Sequence, residues 1–423
     1  MSEKEHSKIR DILQEVTLLL LSTLTVMVGT PLSPGLSKIT AYFEGTVANA
    51  AFLTKFSLTI PAITFAAFSF IIGFLIDRLG RKPVLLTSVF LYVVAGSMGF
   101  FVANLYVIIA SRAFLGIAAA GNMNCILTLI GDYYQGEKRD RVLGFQVATG
   151  ALGSVVLALI GGALFDIQWN YPFLVYLLPL LLVPTIIFVL KEPKNNANEV
   201  SNIDETTKNV AETEQENTCE VKGLSSKWII GICYLSIFAT MFIYYLGPSQ
   251  ISYYIEEIAL SLSSFKIGII MAAVMIAAAT IGALYKQFKK ILNFHIISIL
   301  GFGLLGIGFI ILSFATNFTI LLIAAIIGGL GFGFLVPNFS LFLISNTSPE
   351  NRGKIVSGYN TMWYIGEALS PIVFESVILA TSYSFVFLIG GIGFLALLAI
   401  PITLLVRFYI KKNQMVKQVD QVI

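Results

Sequence analysis

Charge is what this chain has least of. Asp, Glu, Lys and Arg together make up 12% of its 423 residues, about half of what a soluble globular protein carries. With 57% of residues hydrophobic, water cannot be the solvent for most of the folded surface, and a soluble enzyme or scaffold of this size is excluded. Only two histidines (His6, His295) and three cysteines (Cys125, Cys219, Cys233) are present. They offer no metal-ligand spacing and no extracellular disulfide pair, so neither metal nor cofactor is expected. Phosphate-binding loops, zinc-protease motifs and serine-nucleophile elbows are missing as well. A net charge of +3 implies no nucleic-acid partner. Strict alternation of polar and apolar residues is also absent, which excludes a membrane β-barrel.

What is present is a series of long apolar runs. A spanning helix needs about 20 mostly apolar residues, and lipid tolerates only structures that satisfy their own backbone. The runs predict helices near residues 16–37, 56–77, 83–103, 105–131, 141–165 and 172–190. After a polar break, others follow near 228–254, 264–285, 293–315, 318–345, 354–380 and 383–408. The expected fold is all-α, with twelve transmembrane helices in two pseudo-symmetric six-helix bundles, 1–190 and 228–423. The segment 191–227 reads as a cytoplasmic linker, because it is too poor in aliphatic residues to bury a core. The first run is too long for a cleavable leader and is expected to stay as an anchor.

Basic residues set the orientation, because cytoplasmic loops hold the positive excess. With both termini cytoplasmic, 23 of the 27 Lys and Arg residues fall on that side, and only Lys38, Lys55, Arg112 and Lys266 do not. A bacterial inner membrane suits this pattern. Repetition at an offset of about 210 residues supports a repeat-built transporter. Gly73 to Lys82 ends the second helix as Gly282 to Lys290 ends the eighth. Glu137, Lys138 and Arg139 lead to Gly144, as Glu350, Asn351 and Arg352 lead to Gly358.

The run Gly73-Phe-Leu-Ile-Asp77-Arg78-Leu-Gly80-Arg81-Lys82 resembles the loop signature of the major facilitator superfamily. Arg112-Ala-Phe-Leu-Gly116 in the fourth helix is similar to the family's second motif, with Leu115 where Gln is common. In the fifth helix, Gly144, Gly153 and Gly161-Gly162 resemble the antiporter motif of drug exporters, although Leu157-Ala158 replaces its Gly-Pro. Glu192-Pro193 closes the first half as in that family. The resemblance implies alternating access by a monomer, with no enzymatic activity. It further implies a conformational latch of Gly73, Asp77, Arg78, Gly80, Arg81 and Lys82, with Arg81 paired to Asp132. Asp77 would face the start of the eleventh helix near Gly358; the plainer reading is that these charges serve topology only.

Three groups of residues are candidates for the transport chemistry. Arg112 is the only basic residue well inside a span, where charge is costly, so it should face a wet cavity or a partner; the alternative is snorkelling to the nearby interface. Glu367 sits midway along the eleventh helix, and Asn360 and Trp363 share nearly its face. A carboxyl at that depth can take up and release a proton as access alternates, or it can simply bond a neighbouring helix. Asn122, Asn124, Tyr244, Tyr245, Gln250 and Asn338 are further candidates for the substrate path. Glu375, nearer the outer surface, is expected to be solvated. Pro31, Pro34, Pro248, Pro337 and Pro371 predict kinks. Ser263 reads as the N-cap of the eighth helix.

The activity expected is proton-coupled efflux of a small organic or amphipathic molecule, a drug-like compound or a siderophore, with protons and the lipid bilayer as the other partners. An uptake symporter or facilitator of the same fold is the alternative. A transport-dead membrane receptor is the reading from another class.

Overall fold

The computed structural model describes residues 3–192, 226–347 and 352–406. Most of the 191–227 linker lies outside them, with Cys219, as do Glu350, Asn351 and Pro193. Among the described residues, eleven helices are long and apolar enough to cross a membrane. The remaining span is the first, which is built in two pieces. Helix α1 (Glu3–Met27) unwinds, passes through a short 3-10 turn (Ser33–Gly35) and resumes as the helix Leu36–Phe43. Pro31 and Pro34 lack the N–H groups a continuous helix would use there.

The rest of the first half comprises α2 (Ala50–Leu79), α3 (Arg81–Phe101), α4 (Leu105–Tyr133), α5 (Gly136–Ile167) and α6 (Tyr171–Phe188). The second half comprises α7 (Ser226–Tyr244, continued by Leu246–Glu257), α8 (Ser264–Ile291), α9 (Phe294–Ser313), α10 (Phe318–Ser345), α11 (Arg352–Ala380) and α12 (Tyr383–Val406). No strand occurs among the described residues.

Proline acts unevenly on these helices. Pro248 cannot donate to the carbonyl of Tyr244, and α7 breaks at Tyr245. Most of α6 is wound as a 3-10 helix, Tyr171–Leu182, which contains Pro172 and Pro179. By contrast, α10 and α11 run unbroken through Pro337 and Pro371, and α2 through Pro61.

Side-chain caps start the helices where the sequence placed polar residues. Ser263 accepts from the Lys266 N–H, and Asn104, Asn293, Asn317 and Ser382 cap α4, α9, α10 and α12 in the same way. Each half builds a main apolar core, with Tyr253 of the second half joining that of the first, and a smaller cluster around Ile281, Tyr285, Ile297 and Phe334 lies in the second half.

The α2–α3 loop marks one end of the bundle, here termed the basic end; the α1–α2 connection marks the far end. The halves meet at the far end. A Cβ on Gly162 of α5 would lie 2.5 Å from the Ser264 carbonyl of α8, and one on Gly268 of α8 would lie 2.5 Å from the Ala158 carbonyl of α5. Toward the basic end Gly73, Gly144 and Gly282, on α2, α5 and α8, all face open space. The halves are therefore in close contact at the far end, while these three positions toward the basic end are left uncovered.

Candidate functional site

Arg112 is completely buried and does not reach an interface. Its Nη1 donates to the Tyr176 hydroxyl at 2.9 Å, its Nε to the Ser57 carbonyl at 3.3 Å, and its Nη2 to the Val28 carbonyl. Tyr176 donates to the same Val28 carbonyl at 2.9 Å. That carbonyl is free to accept because α1 has just unwound. The guanidinium thus ties α4 to α1, α2 and α6 without a carboxylate partner among the described residues. Its five fixed donors suit such a role better than an ammonium would.

Beyond this knot the polar path crosses to the other half. The Tyr245 hydroxyl, from the break in α7, is close to Gly29, where an added Cβ would lie 3.4 Å from it. The same hydroxyl and the Trp363 indole are within hydrogen-bonding reach of Glu367. Glu367 is half-buried and surrounded by Tyr244, Tyr245 and Tyr364. Tyr364 packs on Phe65 of α2, ring centroids 4.3 Å apart. Tyr245 therefore lies between Glu367 of its own half and Gly29, the residue after the Val28 carbonyl that Arg112 holds.

The other candidates separate into three groups. Asn122 and Gln250 are buried, and among the described residues neither amide finds a hydrogen-bond partner. Groups in that condition call for water or a ligand. Asn360 is exposed, and Tyr244 stacks on Phe332 at 4.2 Å. Tyr244 also borders a small apolar cavity of about 80 Å³ lined by Pro248, Met271, Met275 and Phe309.

Two asparagines expected in the path are hydrogen-bonded within their own halves. Asn338 accepts from Tyr285 at 2.8 Å and donates to the Phe294 carbonyl at 3.0 Å and Ser298 at 2.8 Å, which joins α8, α9 and α10. Asn124 donates to the Ser69 carbonyl of α2 at 2.9 Å.

At the basic end, two motifs that the sequence presents separately form one unit. Gly80 ends α2 with φ of 94°, a conformation that costs a side-chain-bearing residue. A Cβ there would also lie 2.8 Å from Glu192. The Glu192 carboxylate accepts from the backbone N–H of Arg81 at 2.6 Å and of Lys82 at 2.8 Å, at the start of α3. Arg81 pairs with Asp132 at 3.1 Å, and the Lys82 ammonium donates to the Ile187 carbonyl at 2.6 Å. All of these partners belong to the first half. Asp77 and Arg78 are exposed, and among the described residues Asp77 has no ion pair or hydrogen bond. A Cβ on Gly358 would meet Tyr234 of α7 rather than Asp77.

The far end holds contacts between the halves that differ from the expectation for Glu375. Glu375 is not solvated: it is buried and paired with Lys55 of α2 at 2.6 Å. Asp166 of α5 accepts from Lys38 at 2.9 Å and from the N–H groups of Ser264 and Phe265 at 2.8 and 3.0 Å, so the first half caps α8 of the second. Thr40 and Tyr253 share a hydrogen bond of 2.6 Å. Lys55 opening an apolar run was the available signal; its distant partner was not legible.

A family profile described as Major Facilitator Superfamily matches residues 18–371 and 295–418. A bacillibactin exporter of Bacillus subtilis (strain 168) is 26% identical over 315 residues, 73% of this chain and 76% of that protein. An MFS-type transporter, ppz2, of Metarhizium majus (strain ARSEF 297) is 25% identical over 82% of this chain and 68% of its own. The sialic acid transporter NanX of Escherichia coli (strain K12) matches at 27% over 26% of this chain and 28% of its own. Among solved structures, the nucleoside transporter NupG superposes with a TM-score of 0.67 at 16% identity, covering 92% of this chain and 98% of that one. A D-xylose–proton symporter superposes at 0.69 and 15% identity, covering 91% and 96%. At these identities the structural likenesses speak for the fold.

Proposed function

Since the chain belongs to the Major Facilitator Superfamily, we propose that this secondary transporter exports a small organic or amphipathic molecule, drug-like or siderophore in class, in exchange for protons. One observation carries the reading: the arrangement of Glu367, an acid without a cationic partner among the described residues, around Tyr245 at the junction of the halves. Neutralising Glu367 with a proton changes what Tyr245 can bond, and Tyr245 abuts the α1 segment that Arg112 holds. Protonation at one site would thus be felt across the interface whose two arrangements alternate.

The aromatic surroundings of Glu367 suit an amphipathic cargo better than a sugar, which needs many polar partners. Similarity to a bacillibactin exporter over most of its length supports export. Uptake by the same fold is the second reading, favoured by the shorter match to NanX. The basic end is assigned to the cytoplasm, and Asp77, exposed and without a partner among the described residues, is assigned to the latch that would close that end.

The test uses purified protein in lipid vesicles with an imposed pH gradient and a panel of cationic, neutral and anionic compounds. Proton movement opposite to cargo is expected; movement in the same direction would replace export with symport. Glu367→Gln is expected to abolish pH-driven cargo movement while leaving binding in place, and persistent pH-driven transport in that variant would remove Glu367 from the mechanism.

A further inference from the structure

The ammonium of Lys55 has a specific enclosure. Besides Glu375, it donates to the Tyr383 hydroxyl at 3.0 Å and lies 4.5 Å from the ring centroid of Tyr253 and 5.0 Å from that of Tyr383. The two rings are nearly parallel, at 8°, with centroids 6.0 Å apart. A carboxylate and two aromatic faces make a site for an ammonium. They would make a poor metal site, since hard cations require several oxygen ligands.

All three walls belong to the second half, on α7, α11 and α12, whereas the occupant is contributed by the first. The walls are also held without Lys55. Glu257, one turn beyond Tyr253, accepts from the backbone N–H of Tyr383 at 2.9 Å and of Ser384 at 3.2 Å, fixing the start of α12 to the end of α7.

We propose that Glu375, Tyr253 and Tyr383 form an ammonium-binding cage in which Lys55 is a tethered occupant, and that the cage accepts small organic ammonium ions whenever the far end opens. Opening must withdraw Lys55, because α2 and α11 lie on different halves. A charge left buried without its partner is heavily penalised, so the emptied cage requires water or another cation. An ammonium ion that binds only the vacated cage shifts the population toward the far-open arrangement. This inference does not depend on the identity or direction of the cargo.

Tetramethylammonium is a suitable probe, because it keeps the charge and ring contacts and reacts with neither carbodiimides nor acylating reagents. In the purified Lys55→Met variant, Glu375 is expected to become reactive toward a water-soluble carbodiimide. Tetramethylammonium should protect it saturably, while the neutral near-isostere tert-butanol should not. Adding Tyr253→Leu and Tyr383→Leu should weaken protection at least tenfold. An unreactive Glu375, equal protection by the neutral compound, or protection indifferent to loss of the rings would each overturn the proposal.

A second measurement needs no substitution. In the native chain, tetramethylammonium should raise the rate at which a membrane-impermeant acylating reagent labels Lys55 by about two- to tenfold, read by peptide mass; an unchanged or reduced rate overturns the proposal.

Discussion

Arg112 of α4 holds the carbonyl of Val28 at the point where α1 unwinds, and Tyr176 of α6 donates to that same oxygen. One buried cation thus fixes a break in a neighbouring helix. Arg112→Lys keeps the charge but cannot reach three separate acceptors at once. Each buried acceptor left unmet costs about 1–3 kcal/mol. The lysine variant is expected to lose at least tenfold in transport rate and to unfold at lower temperature in detergent, as followed by thermal denaturation. Wild-type behaviour of Arg112→Lys would reduce the role of Arg112 to charge alone.

Close approach of α5 and α8 gives a second prediction. Gly268→Leu places a side chain where the Ala158 carbonyl leaves 2.5 Å. The far end should then fail to close, which would show as rising reactivity of a cysteine introduced at Thr40 toward an impermeant maleimide. Transport should fall by an order of magnitude, whereas Gly282→Leu, at a position facing open space, should be tolerated in this arrangement.

Asn338 offers a contrast between packing and path. Its three hydrogen bonds join α8, α9 and α10. Asn338→Leu is expected to cost about 2–4 kcal/mol, because it strands several buried polar groups, and so to reduce the amount of folded protein. The apparent KM of the folded fraction should remain within twofold of wild type. A change in cargo selectivity would return Asn338 to the path.

At the basic end, Asp77 and Asp132 should behave differently. Asp132 pairs with Arg81 inside the first half, so this pair does not part when the halves separate. Asp132→Asn should have a modest effect, in line with the ~0–1 kcal/mol of a partly exposed ion pair. Asp77→Asn is expected to leave abundance unchanged but to slow turnover at least fivefold, by weakening the closed state. Equal turnover would remove Asp77 from the latch.

Periodic signals were readable in the sequence and long-range pairings were not. Apolar runs gave the spans, and Ser263 gave the cap of α8, because those signals lie within a few residues of each other. Lys55 and Glu375 are 320 positions apart, and nothing local to Glu375 distinguishes a buried acid from a solvated one. The protein partners of Asn338 were hidden for a related reason: a polar side chain inside an apolar helix indicates that a partner exists, but not whether that partner is cargo or protein. The contact of Glu192 with Arg81 and Lys82 shows the opposite case, in which two separately noticed motifs meet in space.

Winding also changes how far a segment reaches. Tyr171–Phe188 has 18 residues, about 27 Å of length if wholly α-helical. With 12 residues in the tighter 3-10 form, at about 2.0 Å per residue, the same segment extends to about 33 Å, enough for a hydrocarbon layer about 30 Å thick. The prolines of α6 therefore lengthen a span that would otherwise be short for its bilayer.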